Sequence, residues 1–271
     1  MKKSLYILAA SISVIVVACS TNAFTGKKTL ALVSNDQLFP QAFQQYGQFL
    51  SENKVLTGTV EAKRVEKVGM KIKAAAERYL TANGKAAVLQ GYQWEYKLVD
   101  NKEVNAWCMP GGKIVFYTGI LPITNDEATM AAVMGHEVAH ALADHGAQRM
   151  SAGMLQQLGG VALAVGTQNQ TPEKQQLWMQ AFGIGTQFGA MLPFSRAHEN
   201  EADMIGLTLM AVAGYDPKNA VIVWERMSAK GGQAPPEFMS THPSNETRIA
   251  KITAQIPAAK AEAAKFGVTF R

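Results

Sequence analysis

Cysteine is nearly absent from this chain of 271 residues, which holds only Cys19 and Cys108. That excludes a disulfide-stapled scaffold. Charge is sparse and mixed, at 26 basic and 21 acidic residues. The balance is too mild and too dispersed for a nucleic-acid-binding surface. No fixed-period repeat is present, and no low-complexity tract long enough for a disordered region. Apolar runs are also scarce. Met150–Gly166 is interrupted by Gln156, Gln157 and glycines, which makes it too broken and too short to span a bilayer, and a packed helix is expected there.

The one almost uninterrupted apolar run lies at the N-terminus. Lys2 and Lys3 precede Leu5–Ala18, a stretch short for a membrane span and suited to a secretory signal. Val16-Val17-Ala18-Cys19 resembles a bacterial lipobox, with cleavage before the cysteine and acylation of its thiol. Several acyl chains on Cys19 would give stable anchorage to a membrane. The expected organisation is a lipoprotein signal peptide at 1–18, a lipid-anchored tether at 19–33 and one globular domain at 34–271. Ser20 fits an outer-membrane sorting pattern, so the expected location is the periplasmic face of a bacterial outer membrane. Loss of residues 1–18 removes two lysines and no acids, leaving 24 basic and 21 acidic residues and a charge near +3. Cys108, between Trp107 and Met109, reads as a buried small hydrophobe, with a metal-ligand role as its rival.

Helical periodicity runs through Asp36–Asn53 and Thr59–Ala82, with Asn83-Gly84 as a stop. Tyr92–Val99, Glu103–Cys108 and Lys113–Tyr117 read as strands, the last two joined by a turn at Pro110-Gly111-Gly112. Thr124 and Glu127 fit a capping box that opens a helix, and Gly146 is its expected stop. Thr171-Pro172 starts another helix, Ser195 a third that Gly214 ends, Asp216-Pro217 a fourth and Asn245 a last. The pattern is α+β, mainly helical, with a small, mainly antiparallel sheet beside the helix that starts near Glu127.

That helix carries His136-Glu137-Val138-Ala139-His140. Helical residues four apart differ by roughly 40° in azimuth, so both imidazoles point the same way. Glu137 is turned about 100° from His136, within reach of a water that attacks at the metal without being a ligand. Neutral imidazoles hold zinc, and the carboxylate accepts the proton of the attacking water. His145, placed on the same helix, falls about 180° from His136 and reads as a surface or supporting contact.

A third ligand must come from elsewhere. In Ser195–Gly206, Glu199 and Asp203 share a helical face, whereas Glu201 points about 200° away from Glu199. Taken alone, such a pair reads as a solvated acidic face. Beside HExxH, Glu199 reads as a zinc ligand and Asp203 as the acceptor of a ligating imidazole's N–H.

HExxH followed by ExxxD in an SRxxExEAD-like run resembles the gluzincin endopeptidases of the HtpX and CAAX-prenyl-protease family. Asn105–Leu121, the HGAQRMS run from His145 and STHPSNETRI (Ser240–Ile249) carry the same resemblance, which spans about Asp36 to Ile256. The lipobox points to that family's exported lipoprotein branch. The resemblance implies a zincin-like fold and a zinc endopeptidase with one Zn2+ per chain. Its ligands would be His136, His140 and Glu199, with Glu137 as base and unfolded or misfolded envelope proteins as substrates. Proteases of this clan bind peptide as an added strand, for which Asn105–Trp107 and Lys113–Tyr117 are the two candidate edges. His242, before Pro243, is expected near the metal, either as a transition-state stabiliser or as a resting-state ligand. Arg196 and Arg248 read as structural partners of nearby acids. Two rivals stand beside this reading: a chaperone-like assembly factor for outer-membrane proteins, and a deformylase-like enzyme using Cys108 as ligand.

Overall fold

Residues 19–230, 242 and 246–270 are described in the computed structural model. The expected signal segment lies outside them.

Two long helices flank the first strand of the main sheet. Helix α1 (Asn35–Glu52) opens where Ser34 N–H donates to Gln37 Oε1 at 3.3 Å. Helix α2 (Val60–Ala82) opens on Thr59, whose hydroxyl accepts the N–H of Ala62. It stops at Asn83, followed by Gly84 at φ +66°, the left-handed position that glycine occupies without strain. Between these helices, Val55–Leu56 (β3) adds a short strand that periodicity does not reveal.

The sheet comprises β3, β4 (Glu95–Val99), β5 (Ala106–Met109) and β6 (Lys113–Tyr117), in the order β3-β4-β6-β5. Two of its pairings are antiparallel, and β4 runs parallel to β6. The tight turn between β5 and β6 uses Gly111 and Gly112 at φ +82° and +86°. Alternation then divides β6 between two faces. Val115 and Tyr117 pack toward Tyr46 and Phe49 of α1, while Ile114 and Phe116 enter the main core with Val68 and Ile72 of α2. Flanked by β4 and β5, β6 offers no edge. Among the described residues β5 pairs with β6 on one side only, which leaves its other side open.

Helix α3 (Glu127–Leu142) is buried continuously from Thr129, as a helix surrounded by protein must be. Its N-cap is Asp126, whose Oδ1 accepts the Thr129 N–H at 2.8 Å. The expected cap, Thr124, instead donates its hydroxyl to Ile120 O in the preceding turn. Nor does the helix run to Gly146. Asp144 takes φ +54°, breaking the chain direction, and His145 begins a separate helix, α4 (His145–Gly166).

Helices α5 (Pro172–Thr186) and α6 (Leu192–Val212) follow, joined by a π turn at Gln187–Met191. Helix α6 crosses α3 where two glycines meet. A Cβ on Gly135 would stand 2.8 Å from Gly206 O, and one on Gly206 would stand 2.8 Å from His136 N. The backbones touch because neither residue has a side chain. Helix α7 (Asn219–Lys230) packs against α3, and α8 (Glu246–Ala264) packs against α6.

Two segments depart from expectation. Residues 19–33, read as a tether, carry an antiparallel hairpin of β1 (Cys19–Thr21) and β2 (Lys28–Leu30). The hairpin is docked: Phe24 stacks on Tyr79 at 4.9 Å, and Leu32 N–H donates to Ser151 Oγ. By contrast, α4 and α5 form an arm whose Leu158, Val161, Val165, Leu177 and Ile184 are exposed, so α4 is packed only near its start. Among the described residues no helix is long and apolar enough to cross a membrane.

Candidate metal centre

One turn separates His136 and His140 on α3, and their Nε2 atoms stand 3.1 Å apart. Glu199 of α6 faces both, with Oε2 3.4 Å from His136 Nε2 and Oε1 3.2 Å from His140 Nε2. The glycine crossing makes this possible by bringing the backbone of α6 against that of α3 at His136. His242 supplies a fourth donor, Nδ1, 3.1 Å from His136 Nε2 and 2.9 Å from Glu199 Oε2. These four donor atoms lie within 4.8 Å of one another.

The set fits zinc. Around an ion with bonds of about 2.0–2.1 Å, tetrahedral donors are separated by about 3.3 Å. Three imidazole nitrogens and a carboxylate closing on one point repel one another unless a proton or cation lies between them. The electrostatics agree. Burial pushes Glu199 up, but hydrogen bonds from His136, His140 and His242 outweigh it and hold the carboxyl well below its usual range. Burial lowers His136, yet Asp203 and Glu199 carry it to about 9, so one positive charge is favoured among the acids. Burial dominates at His140 and keeps it neutral.

Supporting groups surround the donors. His136 Nδ1 stands 2.9 Å from Asp203 Oδ1. Arg248 grips Asp203 with two hydrogen bonds of 2.8 and 2.7 Å, and its third nitrogen lies 3.1 Å from Glu199 Oε2. Its guanidinium covers the Trp224 ring at 3.7 Å. Arg248 therefore pairs with acids, as its sequence context suggested, but those acids belong to the site. Its place in STHPSNETRI was the available signal; for Trp224 there was none.

Glu137 is buried beside the donors, with Oε1 3.4 Å from His242 Nε2. Burial raises its carboxyl, opposed by His242 and His136. Cys108 is half-buried, lies outside the donor cluster and directs Sγ toward Met109 O at 3.4 Å. It packs against the core as a small hydrophobe.

The placement of His145 requires correction. The azimuth that set His145 on the far side of the motif helix assumed one continuous helix, and the break at Asp144 removes that premise. His145 is fully buried, with Nδ1 2.8 Å from His140 Nδ1. Glu201 does turn away from the donors, but its Oε2 lies 3.0 Å from His145 Nε2.

Residues 66–256 match the model of peptidase family M48. The chain is 39% identical over 180 residues to mitochondrial metalloendopeptidase OMA1 of Arabidopsis thaliana, covering 64% of this chain and 34% of that protein. The Saccharomyces cerevisiae protein of that name is 33% identical over 204 residues, 72% of this chain and 56% of its own length. The beta-barrel assembly-enhancing protease of Escherichia coli is 30% identical over 166 residues, 58% of this chain and 33% of that protein. The chain thus spans between a third and about half of these relatives. They also correct the location expected from the lipobox: several of these relatives are mitochondrial by name, which speaks against a bacterial outer membrane. The four clustered donors His136, His140, Glu199 and His242 all fall within the matched residues, and the chain belongs to peptidase family M48.

Proposed function

We propose that this protein is a zinc-dependent endopeptidase that cleaves unfolded or misfolded polypeptides. The convergence of His136, His140, Glu199 and His242 donors beside the buried Glu137 carries the reading. Zinc, when bound, polarises the scissile carbonyl and acidifies water. The chain's residues do the rest. His136, His140 and Glu199 hold the ion, and Asp203 and Arg248 hold His136 and Glu199 in place. Glu137 accepts the proton of the attacking water and passes it to the departing amine. Substrate lies extended along the open side of β5, where main-chain hydrogen bonds accept many sequences and exclude folded ones.

His242 takes the resting-ligand role. Its Nδ1 stands at the fourth corner of the donor set, the corner that a catalytic zinc leaves open. Its departure would free that position for water or substrate when zinc is bound. Within the family, the motif order supports kinship with HtpX and CAAX-prenyl proteases. Acylation of Cys19 is the finer part of the proposal, and labelled fatty acid entering Cys19→Ser would remove it.

The test combines metal analysis with digestion of unfolded casein. Glu137→Gln should keep one zinc and lose turnover by at least tenfold, since the base is not a ligand. The chaperone-like alternative has that variant retaining full biological activity. His242→Ala should keep zinc and hydrolyse at the native rate or faster. A loss of about a hundredfold would give His242 the transition-state role instead.

A further inference from the structure

Behind His140, away from the converging donors, runs a second line of polar side chains that the hydrolytic chemistry does not use. His140 Nδ1 stands 2.8 Å from His145 Nδ1, and His145 Nε2 stands 3.0 Å from Glu201 Oε2. The Thr25 hydroxyl donates to Glu201 Oε1 at 2.8 Å. The His145 ring is clamped from the side by His198, stacked at 4.0 Å and 11°, which is itself held by Gln148 Oε1 at 3.0 Å. Three distant segments meet here: the β1–β2 hairpin, the first residue of α4 and the middle of α6.

The protons along this line have one consistent arrangement. His140 can offer its Nε2 lone pair to a cation only if its ring proton sits on Nδ1. That N–H donates to His145 Nδ1, which must be bare, so the His145 proton sits on Nε2 and donates to Glu201. The ionised carboxylate accepts from both His145 and Thr25. Moving the His145 proton to Nδ1 would set two N–H groups against each other at 2.8 Å. It would also leave a bare nitrogen facing a carboxylate oxygen at 3.0 Å. Every link then opposes ligation through Nε2.

We propose that Glu201 and His145 are positioning residues that fix the ring and tautomer of His140, with Thr25 tying the N-terminal hairpin into the same line. Docking of the hairpin is thereby coupled to metal affinity. The inference rests on reading His140 as a ligand, and it extends support for that ligand to residues outside the HExxH and ExxxD motifs. His136 has its own support in Asp203 and Arg248. Each ligating imidazole on α3 is thus braced by a carboxylate from α6, directly for one and through a second imidazole for the other.

The full chain tests this by zinc competition against a chromophoric chelator and by nitrogen-15 NMR of the histidine rings. Glu201→Gln and His145→Phe should raise the zinc Kd about ten- to a hundredfold. Thr25→Val should raise it by less than tenfold. In the unaltered protein the His145 proton should lie on Nε2, a readout that a merely space-filling ring would not fix and that needs no variant to fold. A proton on His145 Nδ1, or a folded Glu201→Gln chain with native zinc affinity, would overturn the proposal. A His140→Ala chain that keeps its zinc would instead sink the ligand reading beneath it.

Discussion

Glu127 shows how a single carboxylate anchors the motif helix. It sits in the first turn of α3, where negative charge suits the helix dipole. Lys67 and Lys71 of α2 pair with it, and the Tyr215 hydroxyl donates to its Oε2 at 2.9 Å. The hydrogen bond from Lys67 leads the groups that hold its carboxyl below the usual value, against a smaller upward push from burial. A lowered folded value means stability present above the ordinary carboxylate range and lost as pH falls through the folded value. Glu127→Gln should therefore melt below the native chain at pH 7, by an amount worth about 1 kcal/mol after solvent screening. The two melting curves should converge only once pH falls below the lowered folded value. A gap that stays constant with pH would show that charge is not the cause. Other residues differ in how plainly sequence announces them. His136, His140, Glu199 and Asp203 were legible because each pair lies within one unbroken helix, where azimuth follows from spacing. His145 was misplaced because one residue at positive φ resets the helix axis, and no periodicity registers that. Arg248 needed the tertiary fold to bring it to Asp203.

Elements were readable where a cap or a period is written locally. The span of α2 and the whole of β6 follow from Thr59, Asn83-Gly84 and a run of β-formers. The β1–β2 hairpin escaped notice because three-residue strands contain too little alternation to stand out from a polar linker. Nor does sequence alone disclose that Gly135 and Gly206 face each other. Their contact sets the distance between the helix bearing two donors and the helix bearing the third. Gly206→Ala pushes a methyl to within 2.8 Å of His136 N, where backbone on both sides prevents relief. The expected cost is about 1–3 kcal/mol of stability, accompanied by weaker zinc binding as Glu199 is displaced from the imidazoles. Thermal melting and metal titration check both parts. An alanine variant with native zinc affinity would mean the helices can separate without moving the donors.

For the molecule as a whole, the chain between α3 and α6 makes a long excursion. It leaves the core near Ser151, runs out along α4 and returns along α5 to Glu199. Gln156 Nε2 reaches Thr186 Oγ1 at 3.0 Å, marking a level at which the outgoing and returning helices stand side by side. The metal centre lies wholly on the near side of that level. In topological terms the arm is an insertion, and its length is a free variable of the fold: doubling a flexible loop adds only about 0.6 kcal/mol of closure cost. Removing residues 158–184 and joining Gln157 to Gly185 by a short turn should give a chain that folds, binds zinc as before and melts within a few degrees of the native protein. A shortened chain that no longer binds zinc would make the arm a structural member. If the shortened chain performs as expected, arms of different lengths and surfaces can be carried on the same catalytic core without altering its chemistry.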